Sequence, residues 1–373
     1  MKAFRTMELS TIFRQGCLLV VSAAISISAI SQKNKGLKDA YKKYFLIGAA
    51  INANQARQND AVAKELVPRH FNVLTPENVM KAEIIHPQWD TYNFTDGDKL
   101  IEYAKEIKAK VVGHTLIWHS QLPRFARQLS ADSLRLFMEQ HITTVASRYK
   151  NDVIGWDVVN EALNEDGTLR KSVFLDKLGP DYLANAFKLA QQAAPGVELY
   201  YNDYNNEQPA KRAGCIDIVK RIQQAGARID GVGIQGHWHV GKVPFKDIEE
   251  SILAYAALGV KVMITELDLE VLPRNFTGAE ISQRVASNPA LNPYANGIPD
   301  SVLEQQAKDY AELFKLFKKH KDKITRVTFW GVHDGHSWLN GWPVAGRTNY
   351  PLLFSRKGEV KPAYTAIMAV AKK

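Results

Sequence analysis

Along the chain, short apolar runs rich in β-branched residues alternate with stretches whose apolar positions return at helical spacing. Strands are expected at 45–50, 71–74, 109–114, 153–160, 197–201, 229–234, 260–265 and 324–330. A short opening helix is expected at 36–44, and longer ones at 98–108, 132–149, 183–194, 210–225, 245–258 and 303–320. Eight strands, each separated from the next by helix-forming sequence, predict the α/β class and a closed parallel (β/α)8 TIM barrel. An open doubly wound sheet would carry a glycine-rich phosphate loop after its first strand, and residues 52–55 read Asn-Ala-Asn-Gln instead. No Pro/Ser-rich linker or composition break divides the body, so a single domain is expected. The one irregular segment, Glu270 to Asp300, follows the seventh strand, and a long loop at that place is expected to wall a cleft.

Composition narrows the class without changing it. The 373 residues are 46% apolar and 23% charged, as in a globular protein with ample core material. The formal charge is +9, of which residues 1–31 supply a net +2. The basic residues are spread over helical faces, which reads as solvated surface; no nucleic-acid motif accompanies them. Lys2, Arg5 and Arg14 precede an apolar run from Cys17 to Ile30, then small residues. That is a signal-peptide pattern, too short for a comfortable span. Residues 1–31 are therefore expected to be a signal peptide and 32–373 the catalytic domain. The expected product is a secreted, periplasmic or extracellular monomer with no stable membrane association after cleavage. Removing the leader leaves Cys215 alone, which excludes a disulfide framework.

In a barrel of this kind the chemistry gathers where strands end. Two strands, running through Val158-Val159 and Met263-Ile264, each deliver a glutamate at the exit, Glu161 and Glu266. A buried carboxylate is expensive unless something uses it, and a two-carboxylate glycosidase needs two. Most other exits bear amides, imidazoles, carboxylates or indoles: Glu77-Asn78 with Lys81, His114 with Trp118, Asn202 to Asn205, Gln235 with His237, and Trp330 with Trp338. Indole faces stack on sugar rings while amides and carboxylates bond hydroxyls, a mixture that points to polysaccharide. Glu77 and Lys81 are also spaced for an ordinary helical ion pair. His237 and His239 lack a third ligand at metal spacing, so no metal or organic cofactor is expected.

Taken in order, the segments Thr75-Pro76-Glu77-Asn78-Val79-Met80-Lys81, Gly113-His114-Thr115-Leu116-Ile117-Trp118-His119, Trp156-Asp157-Val158-Val159-Asn160-Glu161 and Ile264-Thr265-Glu266-Leu267-Asp268 resemble glycoside hydrolase family 10, the endo-β-1,4-xylanases. Asn202-Asp203-Tyr204-Asn205, Gly233-Ile234-Gln235-Gly236-His237, Phe329-Trp330-Gly331-Val332, Gly346 to Phe354 and Lys361-Pro362-Ala363-Tyr364 extend the match to the C-terminus. The resemblance implies a retaining enzyme with Glu161 as acid/base and Glu266 as nucleophile. It also implies that Asn160 donates to the sugar 2-hydroxyl, and that His237, with Gln235 nearby, keeps Glu266 ionised. Glu77, Asn78 and Lys81 would bind sugars on the non-reducing side. His114 and Trp118 would contact the ring being cleaved, Trp330 and Trp338 would form an aromatic floor and wall, and Tyr204 would stack beyond the cleavage point. Asp268 either orients its neighbours or pairs with a barrel cation. Xylan and xylo-oligosaccharides are the partners implied. The alternatives are a retaining β-1,4-glucanase or cellobiosidase on the same barrel, and a non-catalytic xylan-binding barrel.

Overall fold

A computed structural model describes residues 35–274 and 278–372 of the protein. The expected signal peptide at 1–31, with Cys17, lies outside the described residues. Among the described residues no helix is long and apolar enough to cross a membrane.

Eight strands close into a parallel barrel: β1 Leu46–Ile51, β2 Val73–Pro76, β3 Lys110–Trp118, β4 Gly155–Asn160, β5 Glu198–Asp203, β6 Gly231–Ile234, β8 Lys261–Glu270 and β9 Ile324–Phe329. Each pairs with its successor, and β9 pairs back onto β1 to close the ring. A ninth short strand, β7 His237–His239, prolongs the line of β6 beyond Gly236 and pairs with Asp268–Glu270. Helices wrap the outside at Thr95–Glu106, Ala131–Tyr149, Tyr182–Ala193, Pro209–Gln224, Phe245–Ala256 and Asp300–Lys319, within a few residues of the expected spans.

Pattern and structure part mainly at the strand exits. β3 and β8 run four or five residues past the expected ends, to Trp118 and Glu270. Polar residues there break the hydrophobic run yet keep ladder partners, as in Trp118 opposite Asn160, after register shifts that re-aim the chain. Helices at Ala61–His70 and Pro362–Lys372 were not anticipated; the first contains Pro68, which reads locally as a breaker.

The main core lies between sheet and helices, while Val73, Val112, Tyr200 and Met263 fill the barrel interior. Tyr200 fits because its neighbour is Gly155, where a Cβ would stand 2.2 Å from the ring. Gly113 makes the same room for Trp156. This layer plugs the barrel, leaving the C-terminal ends of the strands as the open face.

Candidate active site

Glu161 is the first residue past β4. Its backbone lies in the left-handed region at φ +57°, a conformation that costs a non-glycine residue about 1–3 kcal/mol and persists where the surroundings over-determine it. Two bonds do so: its N–H donates to the Asn202 carbonyl at 2.9 Å, and the next N–H, of Ala162, donates to the Tyr201 hydroxyl at 3.1 Å. The side chain turns into the cleft, where Oε2 accepts from Trp118 Nε1 at 2.8 Å and Oε1 from Gln235 Nε2 at 3.1 Å. Glu266, inside the extended β8, accepts from Asn202 Nδ2 at 2.7 Å and lies 3.3 Å from His237 Nε2.

The two carboxylates are joined through amides. Asn202 Nδ2 also donates to Asn160 Oδ1 at 2.9 Å, and Gln235 Nε2 reaches the same oxygen at 3.3 Å. Both donors engage Asn160 through Oδ1, so its Nδ2 is the end turned to a ligand. Asn202 can hold this position because Gly233 opposite has no side chain; a Cβ there would meet Asn202 Oδ1 at 2.3 Å. Thr265 Oγ1 fixes the amide by donating to that Oδ1 at 2.6 Å.

Burial pushes both glutamates in the same direction, and their neighbours set them apart. Burial pushes the Glu161 carboxyl above its ordinary range, with Asp203 behind it adding to the effect against His119 and Arg170. Burial would raise Glu266 too, but the hydrogen bond from His237, and the charges of His114, His237 and Lys81, outweigh it and hold Glu266 below its ordinary range. Burial would likewise strip the proton from His237. Asp268, 3.1 Å from Nδ1, and Glu266 reverse that and lift His237 to about 10, so the imidazolium persists across neutral pH. Asp268 is in turn fixed by Trp338 Nε1 at 2.8 Å. Its contact with the His237 imidazolium serves both roles open to it, orienting a neighbour and pairing with a cation. One carboxyl pushed above its ordinary range beside one held below it is the direction of asymmetry that a double displacement needs.

Lys81, His114, Trp118, Asn160, Glu161, Gln235, His237, Glu266, Trp330 and Trp338 all line one cleft. His114 is held by Asp157 at 2.9 Å and meets Trp330 edge-on at a ring separation of 5.3 Å. Trp338 stacks on Trp342 at 4.5 Å. Glu77 and Lys81 lie on a turn ahead of a short helix, so the helical ion-pair geometry is absent. Lys81 Nζ donates to Asn78 Oδ1 at 3.1 Å and Gln121 Oε1 at 2.8 Å, and sits 4.6 Å from the Trp118 ring. The structure does not bring Tyr204 to the cleft wall. It is 3% exposed, with Lys211 Nζ 3.6 Å from its ring centroid and Arg170 donating to its hydroxyl. Sequence reasoning placed Asn202 at a strand exit but gave it no role. It passed over Ala279 and Ile281, which reach the cleft from the segment after β8.

The sequence profile of glycosyl hydrolase family 10 matches residues 36–370. The chain belongs to glycosyl hydrolase family 10. This family 10 chain is 44% identical over 352 residues to endo-1,4-beta-xylanase A of Xylanibacter ruminicola, covering 92% of this chain and 95% of that protein. It is 38% identical over 358 residues to a beta-1,4-xylanase of Dictyoglomus thermophilum, covering 94% and 97% respectively. Among solved structures, a family 10 endoxylanase from a sugarcane soil metagenome superposes with a TM-score of 0.85 at 41% identity, covering 90% of this chain and 99% of that one. A xylotetraose complex of an intracellular xylanase from Thermoanaerobacterium saccharolyticum superposes at 0.78 with 36% identity, covering 89% and 98%. The family 10 chain is thus a glycoside hydrolase.

Proposed function

We propose that this hydrolase is an endo-1,4-β-xylanase that cuts internal bonds of xylan with retention of anomeric configuration. The observation that carries this reading is the amide-linked pair Glu161 and Glu266, whose surroundings push the first carboxyl up and hold the second down. Glu161 gives its proton to the leaving glycosidic oxygen as the Glu266 carboxylate attacks the anomeric carbon and forms a glycosyl ester. The Glu161 carboxylate then takes a proton from water, which attacks the same carbon and releases Glu266; two inversions give retention. Asn160 Nδ2 is placed to donate to the sugar 2-hydroxyl, and Trp330 and Trp338 offer ring faces for the saccharide. The names of the relatives support the substrate class. The basic-then-apolar N-terminus supports export, for which the mass of the mature protein is the test.

The deciding experiment is incubation with xylan, with product sizing and NMR of the new anomeric centre, alongside carboxymethyl cellulose. Short oligosaccharides released first as the β-anomer fit the reading. Release of α-anomer would overturn the double displacement, and faster cleavage of the cellulose would overturn the substrate class. Glu266→Ala should lose hydrolysis and keep binding.

A further inference from the structure

Residues 279–281, after β8, reach the cleft, and the side chain of Glu280 has contacts that acid/base and nucleophilic chemistry do not use. Glu280 Oε2 accepts from Arg170 Nη1 and lies 3.3 Å from His119 Nε2. Its Oε1 accepts from the Ser282 N–H at 3.2 Å, and its main-chain carbonyl accepts from Trp342 Nε1 at 3.2 Å. On either side of it, Ala279 and Ile281 reach the cleft.

Both partners of Glu280 belong to the surroundings of Glu161. His119 follows Trp118 at the end of β3. Arg170 comes from the loop after Glu161, where its N–H donates to the Ala162 carbonyl at 2.7 Å and its Nη2 to the Leu163 carbonyl at 3.0 Å. One ligand atom each of His119, Glu161 and Glu280 lies within 4.8 Å of the others. Besides His119 and Arg170, Glu161 is faced by the Trp118 N–H, Gln235, Asp203 (paired with Lys211 at 2.9 Å), Tyr204, Lys81 across the cleft, and Glu266 in the same cleft. A cation close to a carboxyl draws off its proton, and an anion preserves it. The Arg170 guanidinium on Glu280 makes the cluster a poor metal site.

We infer that Glu280 is a positioning residue for the acid/base: by pairing with His119 and Arg170 it ties the chain after β8 to the exits of β3 and β4 and offsets the cations that face Glu161. With Glu280 in place Glu161 holds its proton until the leaving oxygen takes it; without that charge the carboxyl ionises at lower pH. The inference rests on the retaining-xylanase reading.

The test compares wild type, Glu280→Gln and Arg170→Gln on two β-xylobiosides, phenyl and 2,4-dinitrophenyl, as kcat/KM against pH. The phenyl leaving group needs the acid and the dinitrophenyl group does not. For Glu280→Gln the alkaline limb on the phenyl substrate should fall by about one pH unit, with a loss of about tenfold at the old shoulder. The dinitrophenyl substrate should change by less than about twofold, since it draws on no acid. Arg170→Gln leaves the charge of Glu280 unopposed and should move the limb upward, which keeps the test decisive even if Glu280→Gln does not fold. An unmoved limb, or equal losses on both substrates, would mean that Glu280 merely holds the loop and overturns the inference. An inactive wild type would overturn the xylanase reading itself, a result distinct from either.

Discussion

His237 offers the sharpest perturbation, because one imidazolium holds the nucleophile ionised. In His237→Gln the positive charge 3.3 Å from Glu266 Oε2 is lost while a hydrogen-bonding group of similar reach remains. Unit charges at that distance interact by about 5 kcal/mol at an effective dielectric of 20, an upper bound. Measured shifts for a carboxylate beside a cation are about 1–3 units, or about 1.4–4 kcal/mol. The sign follows from the working form. Glu266 attacks ionised, its carboxyl is held below the ordinary range, and activity is lost as pH falls through that value. Removing the cation raises the value, so activity is lost at higher pH. His237 itself titrates near 10, so wild type keeps this charge throughout the working range. The assay is kcat/KM from pH 3 to 9 on a dinitrophenyl β-xylobioside, with thermal unfolding as the control for folding. The acid limb should move up by about 1–3 pH units. An acid limb that stays put in a folded variant would refute the reasoning and leave the charges of His114 and Lys81 to hold Glu266 down against burial.

Other changes probe the scaffold around this pair. Glu161→Gln should lower turnover of xylan by about 10²–10⁴-fold, whereas dinitrophenyl xylobioside should still give a burst of phenolate before a slow steady state; no burst would argue against a covalent intermediate. Gly233→Ala puts a Cβ 2.3 Å from Asn202 Oδ1 and 2.8 Å from Thr265 Cγ2. It should destabilise by about 1–3 kcal/mol in urea unfolding and lower kcat out of proportion, since Asn202 braces both Asn160 and Glu266. Equal kcat at full stability would show that the brace is dispensable. Asp60, though partly buried, is pushed down to about 2 by bonds from His333, Gln55 and the Ala63 N–H. Its contribution is present above pH 4 and fades as pH falls toward 2, so Asp60→Asn should be less stable at pH 6 by about 1–2 kcal/mol and indistinguishable near pH 2; a pH-independent difference would contradict this.

The sequence determined the barrel, because alternating buried strands and amphipathic helices have few other ways to cover their apolar faces. It also determined which residues leave the strands at the open end, since period and order fix them; Glu161 and Glu266 were legible as a pair for that reason. The ionisation of each was not legible. Both are glutamates at apolar exits, and what separates them is an imidazolium on β7 for one and a buried Asp203 behind the other. Tyr204 shows the same limit: its motif marks a strand exit, but Lys211 and Arg170 cover it from other elements. Arg170 and Glu280 stand 110 residues apart and carry no local signal of their pairing. Patterning is local and follows from backbone period, so it can be read along one dimension. Electrostatics act through space, and only the closed barrel sets the distances that push one carboxyl up and hold the other down.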